Sequence, residues 1–137
     1  MSLETKTVIP PPGTKGTVLV IESKEEKVKL VREEVEPLGI RVLVAKKFTE
    51  ATVMMQKQKF CSLVINREID GSDSHDYILR IRKSLISENQ ETPIILIGDK
   101  FNKDDFDKLG KNINGAVLMP FKEGALSLNL LKFCQIA

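Results

Sequence analysis

The sequence predicts an α/β fold: a doubly wound parallel sheet of five strands with helices on both faces. Three observations predict it. Five short, β-branched apolar runs punctuate the chain, each with the near-continuous hydrophobicity of a strand covered on both faces. Segments with apolar residues three or four apart lie between them, as amphipathic helices require. Strand and helix alternate throughout, an order that right-handed crossovers wind into one parallel sheet. At 137 residues the chain has room for one domain with a full core, and not for two.

The strands are read as Thr17 to Ile21 (TVLVI), Ile40 to Ala45 (IRVLVA), Ser62 to Asn66 (SLVIN), Pro93 to Gly98 (PIILIG) and Gly115 to Met119 (GAVLM). The first helix follows in SKEEKVKLVREEVEPLG, where Val28, Val31, Val35 and Leu38 share a face; Pro37 disturbs its last turn and Gly39 stops it. The second lies in FTEATVMMQKQKF with Thr49 as its expected cap, and Met54 and Met55 filling core. Asp73 or Ser74 caps the third, which carries Ile78, Ile81 and Leu85 inward. The fourth, NKDDFDKLGKN, is short and polar with Phe106 and Leu109 facing in. The last, in KEGALSLNLLKFCQIA, is expected to bury Leu128, Leu131 and Cys134 as one stripe. Residues 1 to 16, with Pro10 to Pro12, read as a flexible leader or linker, and 17 to 137 as the domain.

Composition excludes several classes. Acids and bases are interleaved with a net charge of +2, so no basic stripe recommends a nucleic-acid partner. No apolar run reaches the length of a membrane span, and the N-terminus has no signal or targeting pattern, so a cytoplasmic protein is expected. Cys61 and Cys134 lie far apart inside apolar patterns and are expected to be reduced core thiols.

In a sheet of this kind the ligand crevice lies beyond the carboxyl ends of the strands, where the winding reverses. Those ends deliver Glu22 and Ser23, Asn66, Gly98 and Asp99, and Met119 with Pro120. Other signals are weak. The loop IDGSDSHD lacks the ligand spacing of an EF-hand, His75 is the sole histidine with no cysteine or carboxylate placed in sequence to orient it, and no glycine-rich loop has phosphate-cradling spacing.

Read in order, VLVIES, SLVINREIDGSDSHDYILRIR, TPIILIGD and NGAVLMPF resemble the receiver domain of two-component response regulators (CheY-like, flavodoxin-like) over about Gly16 to Ile136. The resemblance implies strand order 2-1-3-4-5, a role in phosphorelay signal transduction, and a cis peptide between Met119 and Pro120. It also shows a degenerate site. The family's acidic pair falls on Glu22 and Ser23, its phosphoacceptor aspartate on Asn66, its Ser/Thr on Gly98, its lysine on Met119, and its switch aromatic on Ala116. Phosphoryl transfer needs an anionic oxygen nucleophile, and a neutral amide is not one. Mg²⁺ wants hard, preferably anionic oxygens, so weak or no binding is expected and no cofactor is assigned. Gly98 and Met119 supply neither hydroxyl nor ammonium to hold a phosphoryl group.

The expectation is therefore a pseudo-receiver, with no catalytic residue, acting as a protein-interaction module. The alternative is an atypical receiver phosphorylated on Glu22, Glu68 or Asp70. The family's partner-facing surface maps to the fourth helix, fifth strand and fifth helix, and Phe106, Leu109, Val117, Leu126 and Leu130 are expected to form it here. A histidine kinase, an output domain or a second copy is the implied partner, with no nucleic acid and no membrane. Gly98 and Ala116 remove both parts of the family's switch.

Overall fold

A computed structural model describes residues 16 to 84 and 87 to 134. Five strands form one parallel sheet: β1 (Thr17–Ile21), β2 (Arg41–Ala45), β3 (Ser62–Asn66), β6 (Ile94–Gly98) and β7 (Gly115–Leu118). Their order is β2-β1-β3-β6-β7, which is 2-1-3-4-5 counted along these five. Between β3 and the next helix, β4 (Glu68–Ile69) and β5 (Ser72–Asp73) make a small antiparallel hairpin. The helices are α1 (Glu25–Val35), α2 (Phe48–Lys57), α3 (His75–Lys83), α4 (Lys103–Leu109) and α5 (Ala125–Leu131).

The two faces of the sheet sort the side chains by parity, as a pleated strand must. Leu19, Ile21, Leu63 and Ile65 point to a layer built by α2, α3 and α4, through Met55, Ile78 and Leu109. Val18, Val20, Val64 and Ile97 point to the opposite layer, where Val31 and Val35 of α1 meet Leu126 and Leu130 of α5. The three central strands are buried on both faces, which is why their sequences read as unbroken apolar runs.

Several expectations are corrected. Leu109, Val117, Leu126 and Leu130, expected on the partner-facing surface, are buried in the core; only Phe106 of that set is exposed, at 46%. The reason is phase. In α5 the buried stripe steps by four through Leu126, Leu130 and Cys134, so Leu128 turns outward at 65% exposure. In β7 the pleat buries Val117 and turns Ala116 and Leu118 out. Phe106 does not face inward as expected; it packs edge-on against Phe101. Helix α2 starts one residue before Thr49, after Lys47. Leu85 lies outside the described residues.

The cysteines are not free thiols: Cys61 and Cys134 form a disulfide. Cys61 sits just before β3 at the amino pole of the sheet, and α5, antiparallel to the strands, returns Cys134 to that same pole. A separation of 73 residues concealed the meeting. Among the described residues no helix is long and apolar enough to cross a membrane.

Candidate functional site

At the carboxyl pole, parallel pairing of β1 with β3 sets Ile21 beside Ile65, so the next residues, Glu22 and Asn66, emerge side by side. Both are buried. The Asn66 amide donates from Nδ2 to Glu22 Oε1 at 2.6 Å, while its Oδ1 accepts the Glu68 backbone N–H at 3.0 Å. Glu22 Oε2 in turn accepts the Lys24 backbone N–H at 3.1 Å. Each of these four side-chain oxygen or nitrogen atoms has a partner inside the chain. A buried carboxylate is tolerated when donors surround it, and Asn66 is the donor that an aspartate would not be.

The crevice over this pair has a volume of about 260 Å³. Ser23 and the hairpin residues Glu68, Asp70 and Gly71 line it, together with Lys24, Lys27, Asp99 and Lys100. The hairpin turns on Asp70 and Gly71, with φ of 51° and 82°. Positive φ at both central residues is what a two-residue type I′ turn demands, and Asp-Gly is a preferred sequence for it. Across the mouth, Lys27 Nζ of α1 lies 3.0 Å from Asp99 Oδ2, beyond β6. Among the described residues no three His, Cys, Asp or Glu side chains are grouped to hold a metal ion.

Gly98 opens a route that sequence reasoning missed. A Cβ there would lie 2.9 Å from both Cγ and Cδ of Arg67, so the arginine stem crosses the strand end through the space a side chain would fill. Its guanidinium reaches Asp105 of α4, with Nε to Oδ2 at 3.0 Å and Nη2 to Oδ1 at 3.2 Å. Asp105 is 0% exposed and also accepts the Asn102 backbone N–H at 2.7 Å, within a capping box that starts α4. His75 Nε2 donates to Asp105 Oδ1 at 2.7 Å; its Nδ1 is buried without a hydrogen bond, 3.4 Å from Asp73 Oδ1. The Asn102-x-x-Asp105 spacing is the signal that could have marked this cap, though it was not read as one; the arginine has no such signal, because its partner is 38 residues away.

These partners set a charge state. Burial alone raises the Asp105 carboxyl, but hydrogen bonds from Arg67, the Asn102 amide and His75 outweigh it and hold the group at about 2, below its ordinary 3.8. A depressed folded value contributes stability that is complete above the unfolded value and disappears as pH falls through the folded one. Denaturant unfolding is therefore expected to show a stability loss between about pH 4 and pH 2 that Asp105→Asn, weaker at neutral pH, does not share. Parallel acid profiles for the two proteins would contradict this assignment.

Met119 follows β7, donating its backbone N–H to Gly98 O at 2.8 Å, and the Met119 to Pro120 peptide is cis as the resemblance implied. Its side chain packs in the apolar layer of α1 and α5, and it is not among the crevice-lining residues. Glu22, Ser23, Asn66, Glu68 and Asp70 are brought together at the crevice; Gly98 lies beneath Arg67, and Ala116 faces outward.

No protein-family model matches the chain, and no curated protein matches it in sequence. Solved structures do match. The receiver domain of a sensor histidine kinase from Pseudomonas aeruginosa, solved with magnesium coordinated in its active-site cleft, aligns at TM-score 0.74 and 20% identity, covering 87% of this chain and 97% of that one. A response regulator of Chloroflexus aurantiacus, so described provisionally, aligns at TM-score 0.76 and 16% identity over 87% and 97%. The non-phosphorylated HemR receiver domain of Leptospira biflexa aligns at TM-score 0.72 and 17% identity over 88% and 95%. The chain thus has the receiver fold.

Proposed function

We propose that this chain is a receiver-like signalling module that has lost phosphoacceptor chemistry and works through protein contacts. The observation that carries the reading is the Asn66 to Glu22 hydrogen bond at 2.6 Å. It converts the place of an acidic, metal-holding pair into a neutral donor satisfied by one buried carboxylate. Asn66 offers no anionic oxygen to attack phosphorus. The donor set does not fit Mg²⁺ either: Glu22 spends both oxygens on Asn66 and Lys24, and Asn66 spends its oxygen on Glu68. At the paired strand ends an octahedral cation would find one carboxylate, already held by two donors, and among the described residues no three His, Cys, Asp or Glu side chains are grouped to complete its shell.

The contact surface that fits this reading is the exposed part of α4, β7 and α5. Phe106, Leu118 and Leu128 stand out there at 46%, 54% and 65% exposure, beside Ala116. A histidine kinase, an output domain or a second copy is the kind of partner that such a face serves. Polar substitution of Leu118 and Leu128 leaves the core untouched, because neither packs in it.

The test is chemical. Incubation with acetyl phosphate and Mg²⁺, followed by intact mass measurement, is expected to show no added phosphoryl group. A base-labile adduct of phosphoryl mass would refute the proposal, and mapping it to Glu22, Glu68 or Asp70 would establish the atypical receiver instead.

A further inference from the structure

We propose that Arg67, Asp105 and His75 form a permanent clasp that sets the position of α4, and so the face that carries Phe106. The inference deepens the reading above and rests on it. A receiver-like face that reports a signal needs two arrangements and something that biases them. Here the groups that place α4 belong to the chain at all times.

The geometry is concentrated on one carboxylate. Asp105 Oδ2 takes the Arg67 Nε–H and the Asn102 N–H; Oδ1 takes the Arg67 Nη2–H and the His75 Nε2–H. Four donors therefore converge from the end of β3, the start of α3 and the cap of α4. The Asp105 side chain is fully buried and that of His75 nearly so, while Arg67, at 12% exposure, covers them from the crevice. In such surroundings an unpaired partner is strongly unfavourable, so the pair opens only if α4 leaves its seat. A bidentate guanidinium also fixes direction, which an ammonium does not.

Gly98 belongs to the same device. The Arg67 stem occupies the volume over the end of β6 that any side chain at 98 would claim. Where the resemblance puts a hydroxyl residue that answers a phosphoryl group, this chain has bare backbone and an arginine laid across it. Replacement of a transient, phosphoryl-dependent tether by a standing ion pair leaves α4 in one arrangement, available to a partner without modification.

Hydrogen exchange on the full chain tests the clasp, reading amides of residues 101 to 112 against those of β1 and β3. In Arg67→Ala, Asp105→Asn and Gly98→Ala, α4 amides are expected to exchange at least about tenfold faster while the sheet keeps its protection. Arg67→Lys should recover part of the protection, because an ammonium reaches Asp105 without the fork. Wild-type exchange in α4 for Arg67→Ala and Gly98→Ala would overturn the proposal. Should Arg67→Ala fail to fold, Gly98→Ala decides it in the same way. Treatment of the wild type with acetyl phosphate separates the two readings. An adduct with unchanged α4 exchange would remove the proposed function and leave the clasp standing, whereas α4 loosening in the wild type would remove the clasp.

Discussion

Asn66→Asp is expected to destabilise the protein by about 3 to 5 kcal/mol in the absence of divalent cations, the range for stranding a buried charge without its partner. The substitution changes one nitrogen to oxygen and almost nothing in shape. It nevertheless removes the donor that Glu22 Oε1 meets at 2.6 Å and sets a second carboxylate against the first. Hydrophobic packing cannot absorb this, because both residues sit at strand ends fixed by the pairing of β1 with β3. Adding Mg²⁺ is expected to recover part of the loss, since a cation now finds two carboxylates and stabilises the folded state that binds it. Urea unfolding with and without Mg²⁺ measures both effects. A variant as stable as the wild type in chelator would show that the Glu22 to Asn66 bond is not what keeps this crevice intact.

Reduction of the Cys61 to Cys134 disulfide is expected to cost about 4 kcal/mol, from the chain entropy released when a loop of 73 residues is opened. The bridge joins the start of β3 to the residues after α5, so its loss falls first on the layer where α5 packs. Denaturant midpoints with and without a dithiol reductant give the magnitude, and a Cys61→Ser, Cys134→Ser double variant should match the reduced wild type. Alkylation in denaturant without reductant is the sharper check. Two reactive thiols per chain would disprove the bridge outright.

The sheet was legible because burial on both faces writes itself as β-branched runs, and all five runs became strands within a residue of where they were read. The crevice was legible for the same reason: parallel topology dictates which residues emerge at the carboxyl pole. Glu22 and Asn66 were placed by counting, and the structure adds that they bond. What the sequence left unwritten is contact between side chains distant along the chain. Arg67 with Asp105 and Cys61 with Cys134 are pairings of that sort, and neither residue type announces its partner. Phase in short elements failed differently. In a helix of seven residues such as α5, two stripes offset by about half a turn contain similar numbers of leucines, so apolar content alone does not choose between Leu126 with Leu130 and Leu128 with Leu131. Packing against α1 and β7 makes the choice.

The amino pole has a consequence for how the domain is wired. Cys61 donates its backbone N–H to Thr17 O at 2.9 Å, and the bridge holds Cys134 to Cys61, so the chain enters and leaves this unit side by side. Both points lie at the pole of the sheet remote from Asn66. Load applied at residues 16 and 134 therefore bears on the bridge and the first strands, and not on the hydrogen bonds at Asn66.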